Sequence, residues 1–316
     1  MVLVLIPIVI VDFRSEEVGL VFDSESLSER VRVFPHDVGR DIGLWIDERI
    51  DWMNANLGFF FNAVRTLVSY IFEPLEAFLK WLPWPVVVFA LGLVSWALVG
   101  RTLAIFSVVG MILLGFFGLW KRTMETTALM IVTVTMCIAI AVPIGVWASQ
   151  SDRLDAILRP ILDGMQTMPS FVYLVPAIAF FSLGNPPAVI ATLVYAVPPA
   201  VRLTNLGIRQ VSQETIEATE SFGATSWQLM MKVKIPLAMP TIMAGVNQTT
   251  LMALAMVVIA SLVGASGLGE DVLRGLGRLE PGNAFLAGLG IVFLAVIMDR
   301  NTQAFAKKQQ ESLGVG

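Results

Sequence analysis

The side chains that enzymes most often use for nucleophilic catalysis or metal binding are scarce in this sequence. It contains one cysteine, Cys137, and one histidine, His36. One of each excludes an internal disulfide framework, an iron–sulfur cluster, a thiolate zinc site and a metal site with two histidines. The run Gly264, Gly267 and Gly269 lacks the Gly-Lys-Ser/Thr with which a P-loop cradles phosphate. The sequence therefore predicts no catalytic site, no metal site and no cofactor bound directly by this chain.

The most regular arrangement of capping and helix-breaking residues lies in one segment, 202–239. Ser212 can cap a helix over 213–222, and Glu214 follows in the first turn, where the helix dipole favours a carboxylate. Gly223 is placed to end that helix as a C′ glycine. The segment is therefore predicted to contain a short, well-capped helix in place of a simple connection.

A second helix is predicted directly after that glycine. Thr225 and Gln228 have the Thr-x-x-Gln spacing of a capping box, and this helix is expected to end before Pro236, with Pro240 opening the next one. Its apolar face needs a cover, and the face consists of Trp227, Met230, Met231 and Val233. Two covers for this helix–Gly–helix unit remain open, a partner protein and the chain's own helices.

Composition indicates which elements must position this unit. Only 15% of the residues are charged, 56% are hydrophobic, and the mean hydropathy is +0.76. A soluble chain carries about 25% charged residues, so the sequence predicts an all-α integral membrane protein. The net charge of -4 leaves no basic face to neutralise phosphates, which argues against nucleic acid as a partner.

Apolar windows of about 19 residues, long enough to cross a hydrocarbon core about 30 Å thick, predict about seven membrane-spanning helices. They lie at 84–100, 102–120, 126–148, 168–183, 186–201, 240–262 and 284–298. The fourth and fifth are short and rich in proline, which either marks kinks and span ends or frees carbonyls that line a watery path. These prolines are Pro169, Pro176, Pro186, Pro187, Pro198 and Pro199. Carboxylates within the predicted spans are nearly absent, which argues against a proton-coupled transporter.

Lysine and arginine residues set the predicted orientation, because cytoplasmic loops carry an excess of them. Among those in the loops between the spans and in the C-terminal tail, 303–316, ten fall on the side of the 202–239 loop and of that tail and four on the other, so the loop and the tail are placed in the cytoplasm. The ten are Arg101, Arg153, Arg159, Arg202, Arg209, Lys232, Lys234, Arg300, Lys307 and Lys308. The short loops of the other side hold Lys121, Arg122, Arg274 and Arg278. The N-terminus is then predicted to lie outside.

Residues 1–83 are predicted to form an extracytoplasmic extension with amphipathic helices, followed by a transmembrane domain at 84–302. Apolar residues in the extension recur at steps of three and four, which makes one stripe along a helix. Its tryptophans suit a membrane–water interface, and they are Trp45, Trp52, Trp81 and Trp84. We expect this extension on the outer leaflet or against the bundle. The alternative is an eighth span through 59–72, which would have to bury Asn62 and Arg65.

The residues of the helix–Gly–helix unit resemble the EAA loop of ABC-importer permeases. The family pattern reads E-A-A, x3, G, x9, I-x-L-P, and the spacing matches throughout, from Glu217-Ala218-Thr219 through Gly223 to Val233-Lys234-Ile235-Pro236. Three positions depart conservatively: Thr219 replaces alanine, Val233 replaces isoleucine and Ile235 replaces leucine. The threonine makes the helix face slightly more polar.

The resemblance extends to the permeases of the glycine betaine/proline uptake family. It covers 85–302, and its most similar segments lie at 163–176, 240–249, 256–261, 267–269, 272–275 and 299–300. It implies a type I ABC-importer-like permease that acts as a homodimer in the cytoplasmic (inner) membrane. Its implied partners are cytoplasmic ATPase subunits, which use the ATP, and an extracytoplasmic substrate-binding protein. By this resemblance the chain is a translocation subunit and not an enzyme.

The resemblance also implies roles for individual residues. A coupling helix at 217–224 would dock in a groove of the ATPase subunit, so that ATP-driven closure of the ATPase pair swings the spans from inward-open to outward-open. The ATPase-coupling residues are Glu217, Ala218, Thr219, Glu220, Gly223, Ala224 and Pro236.

A path for the substrate is predicted from aromatic and polar residues. Aromatic rings attract quaternary ammonium groups by about 0.5–2 kcal/mol per ring. Phe171, Tyr173, Tyr195 and Trp147 lie in or beside the proline-rich spans, where packing between helices is the alternative role. A polar patch at 247–250 either lines the path or forms hydrogen bonds between helices. The predicted substrate path consists of Met168, Pro169, Phe171, Tyr173, Tyr195, Asn247 and Gln248.

The predicted function is the membrane-spanning permease subunit of an ATP-driven importer for glycine betaine/proline-like osmolytes. One alternative is the same type of permease for choline, carnitine or another small amine or sulfonium solute. A second alternative is an ion-coupled secondary transporter complete in one chain. Such a transporter usually shows repeated halves and has no use for a docking loop, and no repeated halves are evident in this sequence.

Overall fold

The computed structural model of the protein describes residues 39–312, so that His36 and the first part of the predicted extension lie outside the described residues. All regular structure in that range is helical. The helices are α1 Gly39–Trp81, α2 Trp84–Leu98, α3 Arg101–Phe116, α4 Trp120–Gln150, α5 Asp152–Thr167, α6 Leu174–Phe181, α7 Asn185–Arg209, α8 Gln213–Ser221, α9 Ser226–Leu229, α10 Ile235–Ala260, α11 Leu268–Gly277 and α12 Pro281–Ser312. Short 3-10 turns lie at Ser170–Tyr173 and Ser261–Val263, and a π-helical turn lies at Met230–Lys234.

The chain divides into two units between Trp52 and Met53. The described part of the first unit, 39–52, is the start of α1, where most side chains are exposed and the Arg49 guanidinium lies 5.8 Å from the ring centre of Trp45. The second unit begins at Met53 and contains every other helix.

Four stretches of the described residues are long and apolar enough to cross a membrane: α4, α7, Ser226–Val263 and Pro281–Phe305. Two more stretches are long and apolar enough only when two consecutive helical segments are taken together. These are α1 with α2, bent by 105° at the break, and α5 with the Ser170–Phe181 segment, bent by 108°. The structure therefore contains four to six candidate spans where the sequence predicted about seven. One reason is that α3 has 16 residues, so at 1.5 Å per residue it is only about 24 Å long.

The predicted fourth span, 168–183, is not one helix. Met168 and Pro169 both have extended backbone, with ψ of 136°, and α6 contains only 8 residues. The physical reason is local, because a proline disfavours helical backbone at the residue before it. The proline-rich part of the chain is therefore a broken segment: an extended pair, a 3-10 turn and one short helix.

The helix after the capping box does not end before Pro236, contrary to the prediction. The chain stays helical from α9 through the π turn into α10, and the backbone N–H of Ile235 donates to the carbonyl of Met230. This wider turn shifts the hydrogen-bond pattern by one residue just ahead of Pro236. The proline, which has no backbone N–H, then lies in the first turn of α10, where that N–H is not needed for the helix. Pro240 likewise lies inside α10 and does not open it.

Helix α7 lies between α4 and α10, and glycines bring the three helices together. A Cβ on Gly145 of α4 would lie 2.5 Å from the Cβ of Thr204, and one on Gly207 of α7 would lie 2.8 Å from the Cβ of Thr241. A Cβ on Gly245 of α10 would lie 3.1 Å from the Cα of Ala200. Backbones this close leave no room to slide, so α4, α7 and α10 form one packed core.

Replacing Gly145 with alanine is expected to destabilise this core by about 1–3 kcal/mol, because the added methyl overlaps Thr204 and the carbonyl oxygen of Val201. Thermal unfolding of the detergent-solubilised protein measures the effect. Gly288→Ala in α12 is the matched control, since no atom lies within 4 Å of its Cβ position. Equal unfolding temperatures for the two variants would contradict the close packing of α4 on α7.

The second-unit part of α1 packs along α6. The side-chain amide of Asn54 donates to the carbonyl of Ala179 at 3.0 Å, and the ring of Phe61 stacks on Phe180 with ring centres 4.5 Å apart. Val68 and Phe72 are buried in the same cluster as Tyr173. Asn62 and Arg65, the residues that an eighth span would have to bury, are exposed in this single chain. Helix α1 is not among the four stretches that qualify as spans by themselves.

Candidate functional site

The helix–Gly–helix unit forms with the caps that the sequence predicts. The hydroxyl oxygen of Ser212 accepts a hydrogen bond from the backbone N–H of Thr215 at 3.4 Å. Gly223 follows α8 with φ of +80°, in the left-handed region that favours glycine. The Thr225 hydroxyl accepts from the N–H of Gln228 at 3.3 Å, and the Gln228 side chain accepts from the N–H of Thr225 at 2.9 Å. The capping box is therefore confirmed.

One side of this unit faces outward from the chain. Glu217, Ala218, Glu220 and Gly223 are exposed. The large apolar side chains beside them are exposed as well: Phe222 is 93% exposed and Trp227 of α9 is 69% exposed. An uncovered phenylalanine and tryptophan on a short, capped helix pair are typical of a surface that another protein covers.

The opposite side of the unit packs into the chain's own helices. Met230 is buried against Ile208, Ala238 and Ile242. Thr219 is half-buried, and its hydroxyl donates to the carbonyl of Thr215 at 2.7 Å. The chain's own helices therefore cover one side of the unit, while Trp227 on the other side stays uncovered within the chain.

Of two further predicted coupling residues, one lies in the turn between α8 and α9 and the other lies where the unit joins the bundle. Ala224 is half-buried, and its backbone N–H donates to the carbonyl of Thr219 at 3.4 Å. Pro236 is half-buried in the first turn of α10. The α10 helix starts at Ile235, so a displacement of the unit reaches a candidate span without a flexible connection.

The structure brings together two of the predicted path residues. The ring centres of Tyr173 and Tyr195 lie 6.0 Å apart, and the Tyr173 hydroxyl donates to the carbonyl of Met165 in α5. Tyr173 is buried at 6% exposure, whereas Phe171 is 59% exposed. Within 39–312 no ring contact joins Phe171 or Trp147 to the tyrosine pair. Met168 and Pro169, in the extended pair before the 3-10 turn, are exposed.

The polar patch of α10 lies beside α7. The Thr249 hydroxyl donates to the carbonyl of Ala196 at 2.8 Å, which places Asn247 and Gln248 next to the part of α7 that carries Tyr195. The side-chain oxygen of Asn247 is buried, and no described residue donates a hydrogen bond to it. Gln248 is exposed, although it lies inside a candidate span.

An ion-pair network that the sequence analysis missed joins α1, α4 and α11. Glu125 of α4 is 3% exposed, and its carboxylate lies 2.8 Å from Nζ of Lys80 and 3.1 Å from Nη1 of Arg122. Arg122 also lies 2.6 Å from the carboxylate of Glu270 and 3.5 Å from that of Asp271. Burial raises the pKa of the Asp271 carboxyl above its usual value. The predicted third span starts directly after Glu125, whereas α4, a candidate span, begins at Trp120 and therefore contains this carboxylate in its second turn.

The turn before α11 is also held on α4. The backbone N–H of Leu268 donates to the hydroxyl of Thr126 at 2.8 Å, and Gly267 has φ of +123° beside it. The backbone N–H of Ser266 donates to the side chain of Asn185 at 2.9 Å, which ties the same turn to the start of α7. In the described part of the chain, no group of three or more His, Cys, Asp or Glu side chains is arranged to hold a metal ion.

Residues 141–310 match the sequence profile of a family described as "Binding-protein-dependent transport system inner membrane component". The matched range contains the helix–Gly–helix unit, the broken segment and the α10 polar patch. It accounts for more than half of the chain, and it agrees with the resemblance that the EAA-type spacing indicates.

Two relatives align over most of the chain. The glycine betaine/proline betaine transport system permease protein ProW of Escherichia coli (strain K12) is 47% identical over 263 residues, which are 83% of this chain and 74% of the relative. The glycine betaine/carnitine transport permease protein GbuB of Listeria monocytogenes serotype 1/2a (strain 10403S) is 44% identical over 274 residues, 84% of this chain and 95% of the relative.

A solved structure shares the fold. An inward-facing conformation of the MetNI methionine ABC transporter superposes with a TM-score of 0.56 and 22% sequence identity, and it covers 60% of this chain and 95% of that chain. At this identity the match supports the arrangement of helices, and it says nothing about the solute.

Proposed function

Because the chain belongs to the family of binding-protein-dependent transport system inner membrane components, we propose that it is the permease subunit of an ATP-driven importer for glycine betaine and proline-type osmolytes. The observation that carries the proposal is the long alignment with two permeases whose names include glycine betaine, together with an exposed helix–Gly–helix unit on a membrane bundle. The chain moves solute, and a separate ATPase subunit hydrolyses the ATP.

In this proposal the exposed side of the helix–Gly–helix unit docks on the ATPase. Glu217, Glu220 and the aromatic Phe222 supply the contacts, and Ala218 and Gly223 let the two backbones approach closely. The half-buried Thr219, Ala224 and Pro236 hold the unit against the bundle and are coupling residues by position. Closure of an ATPase pair then moves the unit together with α10.

The substrate path is proposed along the broken segment and the polar patch of α10. Tyr173 and Tyr195 present two rings to a quaternary ammonium group, and Met168, Pro169 and Phe171 lie at the exposed entrance of the segment. An exposed Gln248 in a candidate span is costly against lipid, so water, solute or a second copy of the chain must cover it. The side-chain oxygen of Asn247 is buried and accepts from no described residue, so a water molecule or the solute is proposed to donate to it.

Replacing Gln248 with leucine is expected to lower betaine uptake by about tenfold while the ATPase still associates, because one lost hydrogen bond to a charged solute is worth about 1.5–3 kcal/mol. Radiolabelled uptake into proteoliposomes measures this effect. Gln303→Leu in α12 is the control, since it makes the same change to an exposed glutamine far from the patch in sequence. Unchanged uptake by the Gln248 variant would remove α10 from the path.

The test of the whole proposal is reconstitution. The chain is placed in liposomes with and without its ATPase subunit, the substrate-binding protein is added on the outside, and betaine uptake is followed with ATP within. Uptake is expected only when all three proteins and ATP are present. Uptake by this chain alone, driven by a sodium or proton gradient, would instead identify a secondary transporter.

The cargo is tested in the same assay by competition. Glycine betaine is expected to compete best, followed by proline betaine, and the name of GbuB makes carnitine the first alternative to examine. Choline and sulfonium analogues complete the series. We also propose that the N-terminus lies outside and the C-terminus inside a bacterial or archaeal inner membrane, and that two copies form the permease.

A further inference from the structure

Beyond the proposed docking and path residues, we propose that a ladder of polar contacts between α5 and α7 transmits movement of the helix–Gly–helix unit to the broken segment. The ladder consists of Asp152, Asp155 and Asp163 on α5 and of Arg202, Asn205 and Arg209 on α7. The inference rests on the proposed function, because it supposes that an ATPase moves the unit.

The contacts of the ladder run in order along two antiparallel helices. Arg209 lies 2.6 Å from the carboxylate of Asp152, and Arg202 lies 2.6 Å from that of Asp163. Between them, the side-chain amide of Asn205 donates to Asp155 at 2.7 Å. Steps of three and four place Arg202, Asn205 and Arg209 on one face of α7, and steps of three and eight do the same for Asp152, Asp155 and Asp163 on α5.

Arg209 fixes the end of α7 that leads into the unit. Its Nε donates to the side chain of Asn205 at 2.9 Å, its Nη1 to Asp152, and its Nη2 to the carbonyl of Ala148 at 2.9 Å. One guanidinium therefore ties together the ends of α4 and α7 and the start of α5. Helix α8 begins at Gln213, so this tie lies at the base of the unit.

The other faces of α7 are packed differently from the ladder face. Toward α4 and α10 the glycine contacts at Gly145, Gly207 and Gly245 leave no free space. Toward α5 the ladder residues other than Asp152 line a cavity of about 360 Å³. Polar contacts across a cavity can rearrange at small cost, whereas close-packed backbones move as one body. Helix α5 has one apolar side chain buried in the core cluster, Leu162, and its polar contacts with α7 are those of the ladder, so it is the element that can shift most readily relative to the core while the ladder still connects it.

The far end of α5 reaches the substrate path. The carbonyl of Met165 accepts from the hydroxyl of Tyr173, whose ring contacts Tyr195, and Met168 and Pro169 follow directly. One helix thus carries the ladder along its length and holds the first ring of the path at its end. Movement at Arg209 is passed along α5 to Tyr173, so the ladder residues are positioning residues and do not contact the solute.

The test uses the complete transporter with ATPase and binding protein. Arg209→Gln is expected to leave ATP hydrolysis within about twofold of wild type and to lower solute uptake by about tenfold, within the range of coupling changes that such residues produce. Arg202→Asp is expected to act in the same way. Adding Asp163→Arg to Arg202→Asp restores the ion pair and is expected to restore uptake. Arg153→Gln, an exposed arginine of α5 outside the ladder, is the control.

A conformational readout separates transmission from simple destabilisation. Cys137 is buried, so Met168→Cys introduces one accessible thiol at the end of α5. Its labelling by a maleimide is expected to change when ATP is trapped on the wild-type complex, and not to change when Arg209→Gln is present.

Each outcome decides the matter. The inference would be overturned if Arg209→Gln and Arg202→Asp both kept solute uptake and ATP hydrolysis at the wild-type level. A parallel loss of ATP hydrolysis and uptake that the Asp163→Arg exchange fails to restore would overturn it too, because that pattern indicates a structural role alone. Absence of ATP-driven uptake by the wild-type complex would contradict the proposed function itself, and the inference with it.

Discussion

The Gly223→Asp variant is expected to lose its ATPase partner, with co-purification reduced about tenfold or more, since 1.4 kcal/mol of binding free energy already corresponds to tenfold. Gly223 has φ of +80°, where most other residues cost roughly 1–2 kcal/mol. No atom lies within 4 Å of its Cβ position, so the new side chain fits the chain itself. It would, however, project a carboxylate from the exposed tip beside Glu217 and Glu220, where the partner backbone is expected to approach.

A glycine elsewhere in the chain provides the matched control. Gly118, in the turn between α3 and α4, has φ of +72° and also has no atom within 4 Å of its Cβ position. Gly118→Asp therefore imposes the same backbone strain and the same charge far from the helix–Gly–helix unit in sequence. We expect it to keep the ATPase. Comparable loss in both variants would attribute the effect to strain and would reject the docking assignment.

The Glu125→Gln variant is expected to lower the unfolding temperature by about 4–8 °C, from a loss of about 2 kcal/mol. Neutralising this buried carboxylate leaves Lys80 and Arg122 with less compensating charge. The expected loss of unfolding free energy is smaller than the 3–5 kcal/mol typical of fully buried pairs. The reason is that both cations are partly exposed and keep Glu76 and Glu270 as partners. Thermal unfolding in detergent measures it.

Two comparisons make this expectation specific. Glu73→Gln removes an exposed carboxylate from α1 and is expected to change the unfolding temperature by no more than about 1–2 °C. Raising the salt concentration is expected to weaken the exposed pairs of the network more than those of the buried Glu125. If Glu125→Gln unfolds at the wild-type temperature, the network contributes nothing to holding α1 and α11 on α4.

The sequence predicted the broad class and the local details of this protein well. Low charge and high hydropathy indicate a helical membrane protein, and the spacing from Glu217 to Pro236 indicates the family that the comparisons confirm. It was less successful where helices end. Pro236 was expected to terminate a helix, but a π turn carries the helix past it, and segment 168–183 was expected to be one span although Pro169 breaks it.

For the charged residues, too, the sequence predicted a general property but not the individual contacts. Arg202 and Arg209 were counted only as cytoplasmic charges that set the orientation, and Glu125 was placed outside the spans. The structure gives each of them specific partners: Arg202 contacts Asp163, which is 39 positions away in the sequence, Arg209 contacts Asp152, which is 57 positions away, and Glu125 contacts Lys80. Helical spacing of the ladder residues on α5 and on α7 was visible in the sequence, but it did not identify the facing helix.

By itself the sequence determined the features that depend on neighbouring residues. The Ser212 cap, the Gly223 stop and the Thr225–Gln228 capping box each involve groups within a few positions, so the local sequence is enough to specify them. Only the tertiary structure decided which carboxylates are buried, which glycines touch a neighbouring helix and which side of the unit remains exposed. Those properties depend on the angles and distances between helices that are remote in sequence, and no local pattern of residues specifies them.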